Sequence, residues 1–264
     1  MHLPLLGMGT WGMGGKYERD ENNVTESIEL LSYGFDMGFR LVDVAEIYGE
    51  GLTETILGKA MKGRKREDIF VISKVWKEHL RYDEVLRAAE GSLKRLNTPY
   101  IDLYLVHWPN PEIPLKETMS AMETLIEKGF VKEIGVSNFT VPLMEEAQSY
   151  LSHAKLFANE IEYNLAVRDA EREVILFCKK QGINVIAYRP LAKGSLLSGQ
   201  NAILQSLSSK YKKTPAQVAL NWIIGKGASA IPKAGSREHL KENIGVLGWH
   251  LSTEDVSLLD ASRF

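Results

Sequence analysis

Four side chains that can hold or transfer a proton stand at regular places in the first half of the chain. Asp43 ends an apolar run that is typical of a buried strand, and a short turn after it is predicted to present Tyr48 in the open. Lys74 comes at the end of the next apolar run, 31 residues after Asp43. His107 comes at the end of a third run, 33 residues after Lys74. Because a strand, a helix and their loops take roughly 30 residues, these side chains are predicted to share one edge of a sheet.

These four residue types together favour one kind of chemistry. A tyrosine hydroxyl has a pKa near 10, so it needs help from a nearby cation to act as an acid or base at neutral pH. Lys74 can give that help while Asp43 holds the ammonium, and His107 can orient a carbonyl oxygen. The set predicts a proton donor aimed at an oxygen that becomes an alkoxide, as in carbonyl reduction. No side chain supplies a hydride, so a nicotinamide cofactor is expected.

Composition limits the class of protein. The chain has 264 residues, of which 44% are apolar and 25% charged, with a net charge of −2. These values are typical of a globular protein and do not indicate binding to nucleic acid or a membrane surface. Binding of nucleic acid by the basic run from Lys59 to Arg66 would require aromatic residues and a second basic patch, and the sequence shows neither. The run is therefore interpreted as a solvated helix end. No signal peptide or long apolar segment is visible, which predicts a cytoplasmic protein.

Cys178 is the single cysteine, which excludes an intramolecular disulfide and a cluster of thiolate ligands. It lies in an apolar run and is interpreted as a core residue. No metal site is predicted.

Eight predicted strands alternate with helices, and no linker interrupts them. This order favours a single (β/α)8 barrel domain over residues 1–264, because such barrels are typically about 250 residues long. The first strand is predicted at 3–8 and the second ends at Asp43. The others are predicted at 69–73, 101–106, 131–136, 157–161, 184–187 and 229–231. The main predicted helices cover 23–37, 53–62, 82–96, 115–128, 216–224 and 252–259, with a further helix ending at 151 and another beginning near 238.

Several motifs in the right order then support a family resemblance over essentially the whole chain. They are Gly7-Met8-Gly9-Thr10-Trp11, the stretch from Asp43 to Gly49, Ser73-Lys74, Val106-His107-Trp108-Pro109, Gly135-Val136-Ser137-Asn138-Phe139 and Ile231-Pro232-Lys233. With them the chain resembles an aldo-keto reductase of the prokaryotic type with a short C-terminus. The resemblance implies a catalytic tetrad of Asp43, Tyr48, Lys74 and His107, with Tyr48 as the general acid.

The resemblance also implies a set of cofactor-binding residues. Ser137 and Asn138 match positions that bind the nicotinamide carboxamide, and Tyr188 matches the aromatic residue on which the ring stacks. Glu160 stands where the family usually has Gln, a change that can shift redox preference. The full expected set is Thr10, Trp11, Ser137, Asn138, Glu160, Tyr188, Pro190, Leu191, Ser195, Lys233, Ser236, Arg237, His239 and Asn243.

The expected cofactor is NADP(H), with NAD(H) as the alternative. Lys233, Ser236 and Arg237 fall in the segment that holds the adenosine 2′-phosphate, and two cations with a hydroxyl suit a dianion. The family often places an Arg six residues after the Lys, where His239 stands in this chain, whereas Arg237 comes four residues after it.

Substrate preference is predicted from the aromatic residues near the strand ends. Trp11, Trp76, His107 and Trp108 are expected to wall the pocket and to suit small aliphatic or aromatic aldehydes or short sugars. Family members with narrow substrate choice often carry a long C-terminal loop over the barrel, and such a loop is expected to be absent because the sequence ends soon after its last predicted helix. An open, permissive site on a monomer is expected.

Three alternatives stay open at this point. The same barrel serves as a cofactor-sensing module in subunits that attach to potassium channels. A lyase or isomerase could use Lys74 as a Schiff base, although Asp43 argues against an unpaired lysine. A hydrolytic metal site would need a second His at a strand end, and the sequence lacks one.

Overall fold

The structure is a computed structural model that describes residues 2–197, 201–233 and 235–264. Eight parallel strands follow one another in chain order, each paired with its sequence neighbours. They are β1 (Gly7–Gly9), β2 (Leu41–Asp43), β3 (Phe70–Val75), β4 (Ile101–Val106), β5 (Val131–Ser137), β6 (Leu156–Glu162), β7 (Asn184–Tyr188) and β8 (Ser229–Ala230). Bridges from Leu6 to Ala230 and from Gly9 to Lys233 join the two ends of the sheet. The predicted (β/α)8 barrel is confirmed.

Ten α-helices lie within the described ranges, and most of them connect successive strands around the barrel. They are α1 (Val24–Asp36), α2 (Leu52–Met61), α3 (Tyr82–Leu96), α4 (Leu115–Glu127), α5 (Val141–Ser149), α6 (Val174–Gln181), α7 (Ala202–Tyr211), α8 (Pro215–Gly225), α9 (Arg237–Ile244) and α10 (Thr253–Ala261). None of them is long and apolar enough to cross a membrane.

Local sequence explains where the clearest helices begin and end. In α3, Val85, Ala89 and Leu93 recur every fourth residue and are buried against the barrel, and Asn97 ends the helix in a left-handed conformation. Thr214 caps α8 by accepting from the backbone of Gln217, whose side chain accepts from the backbone of Thr214 in return.

The barrel has an inner and an outer core, because alternate residues of a strand face opposite sides. The outer core packs the strands against the helices. The inner core fills the lower part of the barrel with apolar side chains: Leu3, Leu41, Phe70, Ile72, Leu103, Leu105, Ala158, Ile186 and Ile231. This plug leaves only the upper end of the barrel, beyond the carboxyl ends of the strands, for polar chemistry.

The structure corrects the bounds of two predicted strands and adds two helices. The first strand is Gly7–Gly9 rather than 3–8, because Pro4 has no N–H to pair and Leu5 points toward solvent, while Leu3 packs into the inner core. The last strand is shorter than predicted by one residue. Helices α6 and α7 were not predicted, although Asn201 caps α7 through Leu204.

Candidate active site

The strand period of two delivers the polar residues of the site. In five strands the residue two positions after an inner-core side chain lies at the upper end of the barrel. Its side chain therefore continues the inward-facing row into the site. The pairs are Leu41 and Asp43, Ile72 and Lys74, Leu105 and His107, Ala158 and Glu160, and Ile186 and Tyr188.

Lys74 is the centre of this site and is fully buried. Its ammonium donates to Asp43 in direct contact, and to the backbone oxygen of Val44 at 3.2 Å. It also lies 3.5 Å from the hydroxyl of Tyr48 and 3.5 Å from Oε1 of Glu160. Burial alone would lower the pKa of Lys74, but the two carboxyl groups raise it above its usual range, so the ammonium keeps its charge.

Tyr48 is buried rather than presented in the open as predicted, with 7% of its surface exposed. It begins a tight turn in which Gly49 has a φ of 53°, and a Cβ at Gly49 would lie 2.1 Å from the backbone oxygen of Gly14. Burial raises the pKa of Tyr48 above 10, and Lys74 offsets only part of that rise. The hydroxyl therefore holds its proton at neutral pH, which suits a proton donor.

The ring of His107 lies beside that of the tyrosine, with ring centroids 5.6 Å apart. Burial, together with the charge of Lys74, lowers the pKa of His107 to about 2. Its Nδ1 is buried and has no hydrogen-bond partner among the described residues. The ring is therefore neutral at any ordinary pH and can polarise a carbonyl oxygen only as a neutral group.

Two buried carboxyl groups face the one ammonium. Burial raises the pKa of Asp43, with Lys74 opposing, and burial and the charge of Asp43 raise the pKa of Glu160 to about 8. Oε2 of Glu160 is buried without a hydrogen-bond partner in the described chain. This oxygen can therefore form a hydrogen bond with a ligand amide, as an acceptor when Glu160 is ionised and as a donor when it carries the proton.

A hydrogen-bonded chain runs beside Glu160. The hydroxyl of Ser137 donates to the backbone oxygen of Glu160 at 3.0 Å, and the side-chain amide of Asn138 donates to Ser137 at 2.9 Å. The hydroxyl of Tyr188 donates to Oδ1 of Asn138 at 2.8 Å. Asn138 has a φ of 62°, a left-handed conformation that non-glycine residues adopt mostly where the surroundings hold them. Ser137, Asn138 and Tyr188, which were predicted to contact the carboxamide and the ring of a nicotinamide, are thus joined by hydrogen bonds.

The loop after β7 carries three more predicted cofactor residues, Pro190, Leu191 and Ser195. Arg189, Ala192 and Lys193 in this loop have φ values of 49°, 47° and 57°, so three non-glycine residues are held in a left-handed conformation. The hydroxyl of Ser195 donates to the backbone oxygen of Ala192 at 2.8 Å. A costly backbone of this kind at the upper rim is typical of a ligand-binding loop.

The predicted phosphate residues border a cleft between α1 and the start of α9. Lys233, Ser236 and Arg237 line it together with Glu26 and Glu29 of α1. Arg237 lies 3.9 Å from Glu29 and stacks over the ring of Tyr33. Burial and the nearby positive charge of Lys16 lower the pKa of Lys233. Lys16 and Lys233 are therefore two cations that repel each other beside this cleft. An anion entering there would relieve that repulsion.

Two other predicted residues of this group serve the start and body of α9. The backbone N–H of His239 donates to the hydroxyl of Ser236, which caps the helix. Asn243 lies in α9, is buried and does not line the cleft. The side chain of His239 does not line the cleft either.

Five aromatic rings of the described residues, including those of Tyr48 and His107, form a closed circuit at the upper end of the barrel. Their centroids are separated by 4.8 Å from Tyr48 to Trp11, 5.0 Å from Trp11 to Tyr17, 6.4 Å from Tyr17 to Trp76 and 5.2 Å from Trp76 to His107. The contact of His107 with Tyr48 completes the circuit. We call this set of five rings the aromatic mouth; it borders Tyr48 and His107 at the upper end of the barrel.

Two predicted residues near this mouth have different surroundings. Trp108 is 41% exposed and makes no ring contact within the described part of the chain, so it lies outside the circuit. Thr10 is buried, and its hydroxyl donates to the backbone oxygen of Asp43 at 2.6 Å. It therefore holds the end of β2 in place.

Comparison with known proteins gives the family of this chain. The model of the aldo/keto reductase family matches residues 5–263. The chain is 36% identical over 262 residues to the methylglyoxal reductase YeaE of Escherichia coli, covering 98% of this chain and 90% of that protein.

The chain belongs to the aldo/keto reductase family.

Solved structures of the family have the same fold as this reductase. A thermostable aldo-keto reductase solved with the inhibitor epalrestat superposes with a TM-score of 0.95 at 45% identity, covering 98% of this chain and 95% of that one. An aldo-keto reductase of Klebsiella pneumoniae in complex with NADPH gives a TM-score of 0.89 at 35% identity, covering 98% and 90%. Membership in this family removes the Schiff-base lyase and metal hydrolase as alternatives. Within the described residues, no group of three potential ligands could hold a metal ion.

Tyr17 is the residue of this reductase's aromatic mouth that sequence reasoning missed. It lies in the glycine-rich loop between β1 and α1, where the sequence predicted neither a helix nor a strand. The loop is held to the turn that carries Tyr48, because the backbone N–H of Gly49 donates to the backbone oxygen of Lys16 at 2.8 Å. The only signal was an aromatic residue in a loop at the correct edge of the barrel.

Proposed function

We propose that this reductase transfers a hydride from NADPH to small aldehydes and ketones, with Tyr48 donating the proton. The observation that carries the proposal is the position of the Tyr48 hydroxyl, protonated, 3.5 Å from the Lys74 ammonium and next to the neutral ring of His107. A carbonyl oxygen between Tyr48 and His107 would receive two hydrogen bonds that strengthen as it gains negative charge. Lys74 would then stabilise the tyrosinate that is left.

The residues of the site fit a nicotinamide. NADPH supplies the hydride when it is bound. The unpartnered Oε2 of Glu160 and the hydroxyl of Ser137 offer hydrogen bonds to the carboxamide, and Asn138 is oriented by Tyr188. The ring of Tyr188 offers the face on which a nicotinamide would stack.

The phosphate cleft supports NADPH over NADH. Lys233, Arg237 and the hydroxyl of Ser236 border it, and Lys16 adds positive charge nearby. These groups match the charge of a 2′-phosphate, which NADH lacks. The Klebsiella pneumoniae relative was solved with NADPH, which agrees with this preference.

The aromatic mouth supports a choice among carbonyl compounds. The relative in Escherichia coli is named a methylglyoxal reductase, so small 2-oxoaldehydes are the first substrates to test. Rings at the mouth would in addition favour aromatic aldehydes through edge and face contacts.

The test is oxidation of NADPH by purified protein with methylglyoxal, glyceraldehyde and nitrobenzaldehyde, with NADH run alongside. We expect turnover with several aldehydes and a lower KM for NADPH than for NADH. The Tyr48→Phe variant should bind NADPH as the wild type does and lose about 100-fold or more in kcat, because only the transferable proton is removed. Tight NADPH binding without turnover on any carbonyl compound would refute the proposal and favour a cofactor-sensing module.

A further inference from the structure

The two buried carboxyl groups beside Lys74 cannot both be matched by its single positive charge. Asp43, Glu160 and Lys74 are all buried, and two ionised carboxylates beside one ammonium would leave an uncompensated negative charge. Such a charge is costly away from water, so one of the carboxyl groups keeps its proton. Asp43 touches the ammonium, whereas Oε1 of Glu160 is 3.5 Å from it. The closer carboxyl keeps the charge, and the proton belongs to Glu160.

Among the residues that the structure describes, one cation, Lys74, lies beside Glu160. Asp43 faces it from β2, Tyr48 from the turn after β2, Lys74 from β3 and Tyr188 from β7. From β5, only the uncharged side chain of Ser137 is nearby, bonded to the backbone of Glu160. A second positive charge arriving beside Oε2 would change the balance and favour loss of the proton.

We propose that Glu160 couples the oxidation state of the bound nicotinamide to a proton, staying neutral beside NADPH and ionising beside NADP+. This inference rests on the proposed function, since it needs a nicotinamide at this place. The step is a simple exchange: the protein with neutral Glu160 binds NADP+ and releases one proton to the solvent, with no oxidation or reduction. A neutral carboxyl can both donate and accept, as a glutamine amide does, whereas a carboxylate only accepts.

The chemistry predicts a different pH dependence of binding for the two cofactor forms. The reduced ring is uncharged, so NADPH binding leaves the Glu160 proton in place. The oxidised ring is positive, so NADP+ binding becomes tighter as pH rises toward the pKa of Glu160, which burial and Asp43 raise to about 8. Linkage allows up to tenfold in Kd for each pH unit below that value and no further gain above it.

The experiment measures the Kd of NADP+ and of NADPH on the purified protein by isothermal titration calorimetry between about pH 6 and pH 9. Ionisation of the 2′-phosphate is common to both forms and cancels in the ratio of the two constants. We expect the ratio of the NADP+ constant to the NADPH constant to fall about tenfold or more as pH rises from about 6 to about 8, and then to level. Titrations in two buffers of different ionisation enthalpy should show proton release with NADP+ and none with NADPH.

The isosteric variant Glu160→Gln gives the matched control. It should bind both forms with a ratio independent of pH and without proton release. A wild-type ratio that stays constant with pH, or a fall that persists in Glu160→Gln, would overturn the inference. The buffer comparison on the wild type tests it even if the variant does not fold. Failure of the wild type to bind either nucleotide would instead refute the proposed function.

Discussion

Removing the ring of Tyr17 should change which aldehydes the reductase prefers. Tyr17 closes the aromatic mouth between Trp11 at 5.0 Å and Trp76 at 6.4 Å, and it is 57% exposed. An aromatic substrate in the mouth would lose one ring partner in Tyr17→Ala. A pair of rings contributes about 0.5–1.5 kcal/mol, which corresponds to a rise of about 2- to 13-fold in KM.

The assay compares kcat/KM for nitrobenzaldehyde and for methylglyoxal, which has no ring. In Tyr17→Ala we expect the aromatic substrate to lose about 2- to 13-fold, and methylglyoxal to change by less than about twofold. Tyr17→Phe is the matched control because it keeps the ring and removes only the hydroxyl. Equal losses for both substrates, or a Tyr17→Phe variant that behaves like Tyr17→Ala, would refute the role of the mouth in substrate choice.

Three further predictions concern the cleft, the buried charges and the cysteine. Arg237→Ala should raise the Kd of NADPH about tenfold, the effect of one charge-assisted hydrogen bond, and leave that of NADH unchanged, whereas Glu29→Gln should release Arg237 and strengthen NADPH binding. An equal effect of Arg237→Ala on both nucleotides would contradict this. Breaking a buried ion pair typically lowers the free energy of unfolding by about 3–5 kcal/mol. Asp43→Asn should lower it by less, because Glu160 can ionise in place of Asp43. In urea unfolding, the double variant with Glu160→Gln should therefore cost more than the sum of the two single changes, and simple additivity would argue against shared charge. Cys178 is buried and burial raises its pKa to about 11, so iodoacetamide should label it only after unfolding, and rapid labelling of the native protein would show that it is accessible.

The site could be foreseen from the sequence to the extent that strand periodicity controls it. Apolar runs that end in Asp43, Lys74 and His107 place these residues on one edge, because parallel strands in a barrel share their direction. Motifs of the family added Glu160 and Tyr188 at the ends of later strands. The structure brings all five together around the upper end of the barrel, since each follows an inner-core residue by two positions.

Other features depended on contacts between segments distant in sequence. Tyr48 follows a strand and precedes two glycines, a pattern that suggested an exposed residue, yet the loop near Tyr17 covers it. Lys233 and Arg237 were expected at a phosphate site, but no local pattern showed that α1 would bring Glu29 against Arg237.

The sequence by itself determined the barrel, the order of its strands and which residues are candidates for proton transfer at the strand ends, because alternation and loop length are local properties of the chain. Only the tertiary structure decided their protonation. Whether Tyr48 keeps its proton, His107 stays neutral and Glu160 rather than Asp43 is protonated depends on burial and on distances to Lys74. These are set by several strands at once, because the free energy of a charge depends on its whole surroundings and not on its neighbours in the chain.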